Sequence, residues 1–262
     1  MSTSAQWLAL REPYDRRARN PAVLEAVATT FAGQPSVRIA DLGCGTGSTR
    51  RVLGPYIAAT QTWRLCDNDP SLLARAADEP NATALQLDLA CELEAAIAGR
   101  LDLITMSALL DLVSGDWLER LVVDAAARRL PVYAALTYDG RIEFSPPDPL
   151  DEIIVAAVNT HQCGDKGFGP ALGPYAARVA AEQFRRVGYA VTDGRSDWTF
   201  GPQDRDIQNA TLNDWATVAR QIGTVALDDL AAWLGRRSEA VERGGSSMRV
   251  GNVDLFAHPA SL

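Results

Sequence analysis

Apolar and polar positions along this chain switch repeatedly between helical and strand-like periods. Val23, Leu24, Val27, Ala28 and Phe31 recur at helical spacing. Asn20-Pro21 in front of them reads as an N-cap followed by proline at the first helical position, and Gly33 closes the segment. Residues 37–42 are a short apolar run that stops at a cluster of glycines, the pattern of a buried strand running into a loop. The alternation continues with helix over 48–59, strand over 62–66, helix over 71–77 and strand over 84–87. Helix over 91–98 and strand over 101–106 come next. Ser114-Gly115 opens a helix with Trp117, Leu118, Leu121, Val122 and Ala125 on one face, and 131–136 is a fifth strand. Strands alternating with helices predict parallel pairing through right-handed crossovers. The fold class is therefore α/β, a doubly wound, mostly parallel sheet with helices on both faces.

Beyond Tyr138 the pattern changes. Residues 141–174 are rich in proline and glycine and predict a long functional loop with one helix, over 152–158, inside it. A helix over 174–187 and a sixth strand with its edge over 189–200 follow. Residues 203–243 are helical again, with Trp215, Val218, Ile222, Leu227, Leu230 and Leu234 at helical intervals, before a last strand over 248–257. The 262 residues thus predict a single domain with a seven-stranded sheet. Its ligand-binding core spans 20–140, and the helical insertion at 203–243, before the last strand, is placed as a lid.

A formal net charge of −8 disfavours nucleic acid as a partner. The local exception is Arg11, Arg16, Arg17 and Arg19, a basic stretch suited to a carboxylate or phosphate on a small ligand, or to solvent. The four cysteines form no C-x-x-C pair, as expected of reduced thiols in a cytoplasmic protein. Two histidines cannot build a His-rich metal site, so no metal is expected. The N-terminal residues lack the pattern of a signal peptide, and no apolar run is long enough for a membrane span.

The chemistry concentrates in Ala40-Asp41-Leu42-Gly43-Cys44-Gly45-Thr46-Gly47-Ser48. A loop between a first strand and a first helix must turn sharply and let a ligand approach bare backbone, and glycine permits both. Asp67, twenty residues beyond Gly47 at the end of the second strand, is placed to accept from both hydroxyls of a ribose. Asp88 ends the third strand with Leu89 beside it, and Ser107 ends the fourth, at the edge where ligands collect on an open sheet. A nicotinamide loop of the GxGxxG kind, started at Gly43, needs a third glycine where this chain has Ser48. Asp67 also suits a turn, and Asp88 also suits a helix cap.

These strings resemble the class I S-adenosylmethionine-dependent methyltransferases. The first motif stands as ADLGCGTGS, the second as CDNDP, the third as LQLDLA and the fourth region as LDLITMSALLDLV, within residues 20–140. The resemblance implies S-adenosyl-L-methionine as cofactor. By analogy Asp41, Gly43 and Gly45 border its methionine end, together with the loop residues Cys44 and Thr46. Asp67, with Asn68, meets the ribose, Asp88 and Leu89 meet the adenine, and Ser107 flanks the sulfonium. Near the N-terminus, Tyr14 and Arg19, with Trp7, are expected to fold over the cofactor; the alternative for the two aromatics is a core role. The Asn-Pro-Pro-Tyr type of string used on adenine or glutamine nitrogen is replaced by Thr105-Met106-Ser107-Ala108, which disfavours those acceptors.

Methyl transfer needs a base only when the nucleophile arrives protonated. His161 is the candidate; its alternative is a loop histidine bonded to backbone. Asp111 either lines the acceptor site or caps a helix. The resulting expectation is methylation of a small-molecule acceptor, oxygen first. A protein or RNA methyltransferase and a non-catalytic cofactor-binding module are the alternatives.

Overall fold

The computed structural model of the chain describes residues 4–77 and 81–260. Helix α1 (Ala5–Ala18) starts at Ser4, whose Oγ accepts from the Trp7 N–H at 3.1 Å. In α2 (Pro21–Thr30), Asn20 caps as the sequence predicts, its Oδ1 accepting from the N–H groups of Ala22 and Val23. Then come β1 (Ser36–Leu42), α3 (Ser48–Leu53), β2 (Thr60–Asp67), α4 (Pro70–Ala76) and β3 (Ala82–Gln86). The short α5 (Leu93–Ala96), β4 (Leu103–Ser107), α6 (Gly115–Arg128) and β5 (Val132–Ser145) follow. The later part holds α7 (Asp151–Gln162), α8 (Ala176–Arg186), β6 (Tyr189–Arg195) and β7 (Trp198–Phe200). It closes with α9 (Arg205–Ile222), α10 (Leu227–Glu242) and β8 (Ser247–Pro259).

The strands form one sheet in the order β3-β2-β1-β4-β5-β8-β6, with β7 also on β8. The first five strands pair in parallel, and β8 runs antiparallel to its three partners. The chain winds outward in opposite directions from β1 and β4, so a crevice opens at their carboxyl ends. Alternation along β1 divides the core. Val37 and Ile39 pack with α2, α3 and α4 on one face, and Ala40 and Leu42 pack with α5, α6 and α8 on the other.

A third cluster forms beyond the carboxyl edge. The far end of β5 pairs with the start of β8 as a long arm, from Ile142↔Val250 to Ser145↔Ser247. Ile154 of α7, Trp215 of α9 and Trp233 of α10 pack against it. Trp233 is fully buried, and its Nε1 donates to Asp151 at 3.0 Å. Burying a side chain of that size contributes on the order of 3 kcal/mol.

Two expectations change. The sixth strand is two, so the described sheet has eight strands instead of seven. It breaks at Ser196-Asp197, where Asp197 takes the Arg141 guanidinium at 2.7 Å and 3.1 Å and the Asn252 N–H at 3.2 Å. The helix of the 141–174 segment is longer, running to Gln162, and so carries His161 on its last turn instead of in a loop. The 203–243 insertion packs on α7 and on the β5–β8 arm, while the element lying on the glycine loop is α1. Among the described residues no helix is long and apolar enough to cross a membrane.

Candidate functional site

The glycine loop leaves β1 at the crevice. Gly43, Gly45 and Gly47 have φ of +65°, +53° and +84°, a region in which residues with a Cβ are strained. The Gly47 N–H closes a tight turn onto the Cys44 carbonyl at 2.8 Å. The Cys44 N–H donates to the Cys66 carbonyl at 3.0 Å, and the Gly45 N–H donates to Asp67 Oδ2 at 2.9 Å. Asp67 Oδ1 accepts from the Asp69 N–H at 3.0 Å. Asp67 therefore ties the loop to the end of β2, and each carboxylate oxygen keeps a second lone pair for a ligand. Exposed Asn68 follows it, and the Thr46 carbonyl takes the Arg51 guanidinium at 2.5 Å.

Asp41 lies fully buried beneath this loop. Its Oδ1 accepts from Thr105 Oγ1 at 2.8 Å, and its Oδ2 has no hydrogen-bond partner among the described residues. Burial pushes its carboxyl up to about 7, against the opposing pull of Thr105, Arg19 and Thr49. A short way along the edge, buried Arg19 donates to Ser107 Oγ at 3.0 Å and to the Tyr133 hydroxyl at 3.5 Å, while its Nε has no partner among the described residues. Burial works against the Arg19 charge, but Tyr133, Asp254 and Asp15 outweigh it and hold the guanidinium protonated. Asp254 also accepts from the Leu136 N–H at 2.8 Å and the Asn20 N–H at 2.9 Å. Leu136 has a φ of +52° at a bulge in β5, so Asp254 fixes both that kink and the entry of α2 beside Arg19.

Helix α1 covers the loop. A Cβ added at Gly45 would lie 3.1 Å from Leu8 Cδ1, and Glu12 accepts from Arg51 at 2.6 Å and 2.7 Å. Tyr14, expected at the cofactor, is turned elsewhere. Its ring meets Phe200 edge-on at 5.0 Å, Arg17 lies over its face, and its hydroxyl donates to Asp204 at 2.8 Å. Trp7 likewise packs on the third cluster. The insertion thus reaches the site through α1, by way of Asp204 ahead of α9.

At the β3 end, Asp88 is exposed. Its Oδ1 accepts from the Ala90 N–H at 3.0 Å and its carbonyl accepts from Cys91 and Glu92, so it caps the turn before α5. Leu89 is buried, with its carbonyl accepting from Trp117 Nε1 at 2.7 Å.

At the end of α7, Lys166 Nζ lies 3.0 Å from His161 Nδ1 and 3.5 Å from its Nε2, and donates to the His161 carbonyl at 2.8 Å. Burial and the Lys166 charge both depress the imidazolium, so His161 is neutral at pH 7. A donor on the in-plane lone pair of one ring nitrogen could not come this close to the other, so the ammonium stands over the face of the imidazole. Neutral His161 keeps one ring lone pair, on the nitrogen that its tautomer leaves unprotonated. Asp111, in the turn after β4, is buried. Its Oδ2 accepts from Gln162 Nε2 at 3.4 Å, and its Oδ1 has no hydrogen-bond partner among the described residues. Burial pushes its carboxyl up to about 6, opposed by main-chain N–H groups of Asp111 and Tyr138 and by Arg11 and Lys166.

The structure therefore gathers Asp41, the glycine loop, Asp67, Arg19 and Ser107 at one crevice and leaves Tyr14 outside it. Thr105, Tyr133, Asp254, Leu8 and Glu12 belong to the same constellation and escaped sequence reasoning. Only the polar Thr105 and Asp254, each inside an otherwise apolar strand, offered a signal.

No family model and no curated protein matches the chain. Solved structures do. The YcgJ protein from Bacillus subtilis is 14% identical, with 92% of this chain and 99% of that chain covered and a TM-score of 0.51. A cyclopropane-fatty-acyl-phospholipid synthase-like protein from Lactobacillus casei is 15% identical, with 97% and 94% covered and a TM-score of 0.55. At these identities the chain shares the fold of both.

Proposed function

We propose that the chain is an S-adenosyl-L-methionine-dependent methyltransferase whose acceptor is a small molecule, with oxygen preferred as the methylated atom. The observation that carries this reading is the pairing of two unsatisfied buried charges beside the glycine loop: Asp41 Oδ2 and Arg19 Nε. A buried carboxylate and a buried guanidinium, each with an open hydrogen-bonding position, suit the ammonium and carboxylate of an amino acid. The positive φ values and the 3.1 Å approach of Leu8 leave the loop no room for a side chain where the ligand backbone would pass.

Asp41 and Arg19 would hold the amino-acid end, Asp67 the ribose, and Asp88 with Leu89 the adenine. When bound, the cofactor supplies a methyl carbon made electrophilic by positive sulfur. Ser107, whose hydroxyl Arg19 holds at 3.0 Å, would flank the sulfonium. Helix α1 excludes water from above the loop, which raises the value of every charge beneath it. The closed α1 cover and the net charge of −8 favour a small acceptor over RNA. The spread, free cysteines suit a cytoplasmic setting.

The test is to incubate the protein with methyl-labelled S-adenosylmethionine and a fractionated cell extract. Label in the low-mass fraction is the predicted result. Label in protein or RNA would overturn the acceptor class.

A further inference from the structure

We propose that Asp111 is the base of this site, and hence that the acceptor atom arrives protonated, as a hydroxyl or an N–H, and leaves its proton on Asp111 Oδ1. The inference rests on the methyltransferase reading above.

The geometry is that of a carboxylate built to meet something. Asp111 follows β4 four residues past Ser107. Leu109, between them, would lie 3.4 Å from a Cβ at Gly43, so this turn flanks the glycine loop. Four elements face the carboxylate: Arg11 from α1, the Tyr138 main chain from β5, Gln162 from α7, and Lys166 from the loop after α7. Only 5% of the residue is exposed, and Oδ1 has no hydrogen-bond partner among the described residues. A buried carboxylate oxygen without a partner is expensive in a purely structural role. An acceptor O–H or N–H at Oδ1 would complete it. Arg11 and Lys166 favour the ionised, proton-accepting form, while burial restrains it, which places the group near the pH at which a base works best. His161 is the poorer base of the two, because the Lys166 charge against its ring disfavours the imidazolium that proton uptake would form.

The step balances as follows. The acceptor's X–H bond breaks, its proton passing to Asp111 Oδ1 and its electron pair forming the X–CH3 bond. The carbon–sulfur bond of the methyl-sulfonium donor breaks, with that pair remaining on sulfur. Asp111 then releases the proton to solvent.

The experiment compares wild type, Asp111→Asn and Asp111→Glu in three readouts. These are S-adenosylhomocysteine affinity by calorimetry, labelled methyl transfer to the low-mass extract fraction from pH 5 to 8, and the carboxyl infrared titration as wild type minus Asp111→Asn. The proposal expects Asp111→Asn to keep its affinity within about twofold and to lose transfer by about 100-fold or more. It expects the wild-type rate to rise with pH to a plateau above about 6, in step with an infrared carboxyl titration. Should Asp111→Asn fail to bind S-adenosylhomocysteine, Asp111→Glu decides: a shifted pH midpoint supports the role, and an unchanged one refutes it. Transfer by Asp111→Asn within about threefold of wild type, or an unchanged pH profile, would overturn the proposal. Wild type that binds S-adenosylhomocysteine but labels nothing overturns this proposal alone. Wild type that does not bind it overturns the cofactor reading as well.

Discussion

Replacing Asp41 with Asn should stabilise the ligand-free protein at alkaline pH while damaging cofactor binding. Asp41 is fully buried, and its carboxyl is raised from 3.8 to about 7. Between those values the folded state binds more protons than the unfolded chain, so stability falls as pH rises through that window. A shift of that size costs on the order of 4 kcal/mol at pH 8 and about 1 kcal/mol at pH 4.5. The Asn variant escapes this cost at both pH values. It acquires in exchange an amide NH2 where Oδ2 was unpartnered, a cost of about 1–3 kcal/mol that does not vary with pH. The difference in unfolding free energy, variant minus wild type, should therefore rise by about 3 kcal/mol between pH 4.5 and pH 8. Urea titrations at the two pH values measure it, and the raised carboxyl of Asp111 cancels because both proteins carry it. Loss of a charge-assisted contact to the ligand ammonium should weaken S-adenosylhomocysteine binding by roughly 10- to 150-fold. A difference in unfolding free energy that is the same at both pH values would refute the argument that Asp41 is a destabilising charge retained for its ligand.

Three further outcomes follow from the loop. Gly45→Ala forces a Cβ into a φ of +53° and toward Leu8. At about 1–2 kcal/mol of strain, S-adenosylhomocysteine affinity should fall roughly 5- to 30-fold, and adding Leu8→Ala should restore little because the strain is in the backbone. Asp67→Ala strips the acceptor from the Gly45 and Asp69 N–H groups, so affinity should drop at least about 10-fold with the far-ultraviolet circular dichroism unchanged. Glu12→Gln breaks a half-exposed pair with Arg51 and should cost less than about 1 kcal/mol of global stability. Hydrogen exchange in α1 should nonetheless accelerate, and unchanged protection there would show that the pair does not fasten the helix.

The parallel sheet was legible because each apolar run ends at a residue that stops it: Gly43 after β1, Asp67 after β2, Ser107 at the end of β4. The glycine loop was legible because positive φ leaves a direct imprint on residue choice. Helix α1 was not. Its residues lack an apolar stripe and Pro13 interrupts the donor ladder, so its stability comes from partners distant in sequence, such as Arg51, Trp198 and Asp204. Tyr14 was misplaced for the same reason, since Phe200 and Asp204 hold it from far along the chain. The break at Ser196-Asp197 depends on Arg141 and Asn252, and no local pattern announces it. The Lys166 Nζ set against the His161 imidazole and the burial of Asp111 are likewise tertiary, and neither leaves a mark in the local pattern.

The most direct test of the account is calorimetric titration of S-adenosylhomocysteine into the wild-type protein, with NADH titrated in parallel. The account predicts one S-adenosylhomocysteine site per chain, weakened by Asp41→Asn, and no binding of NADH. No heat with S-adenosylhomocysteine, or saturable binding of NADH in its place, would contradict it.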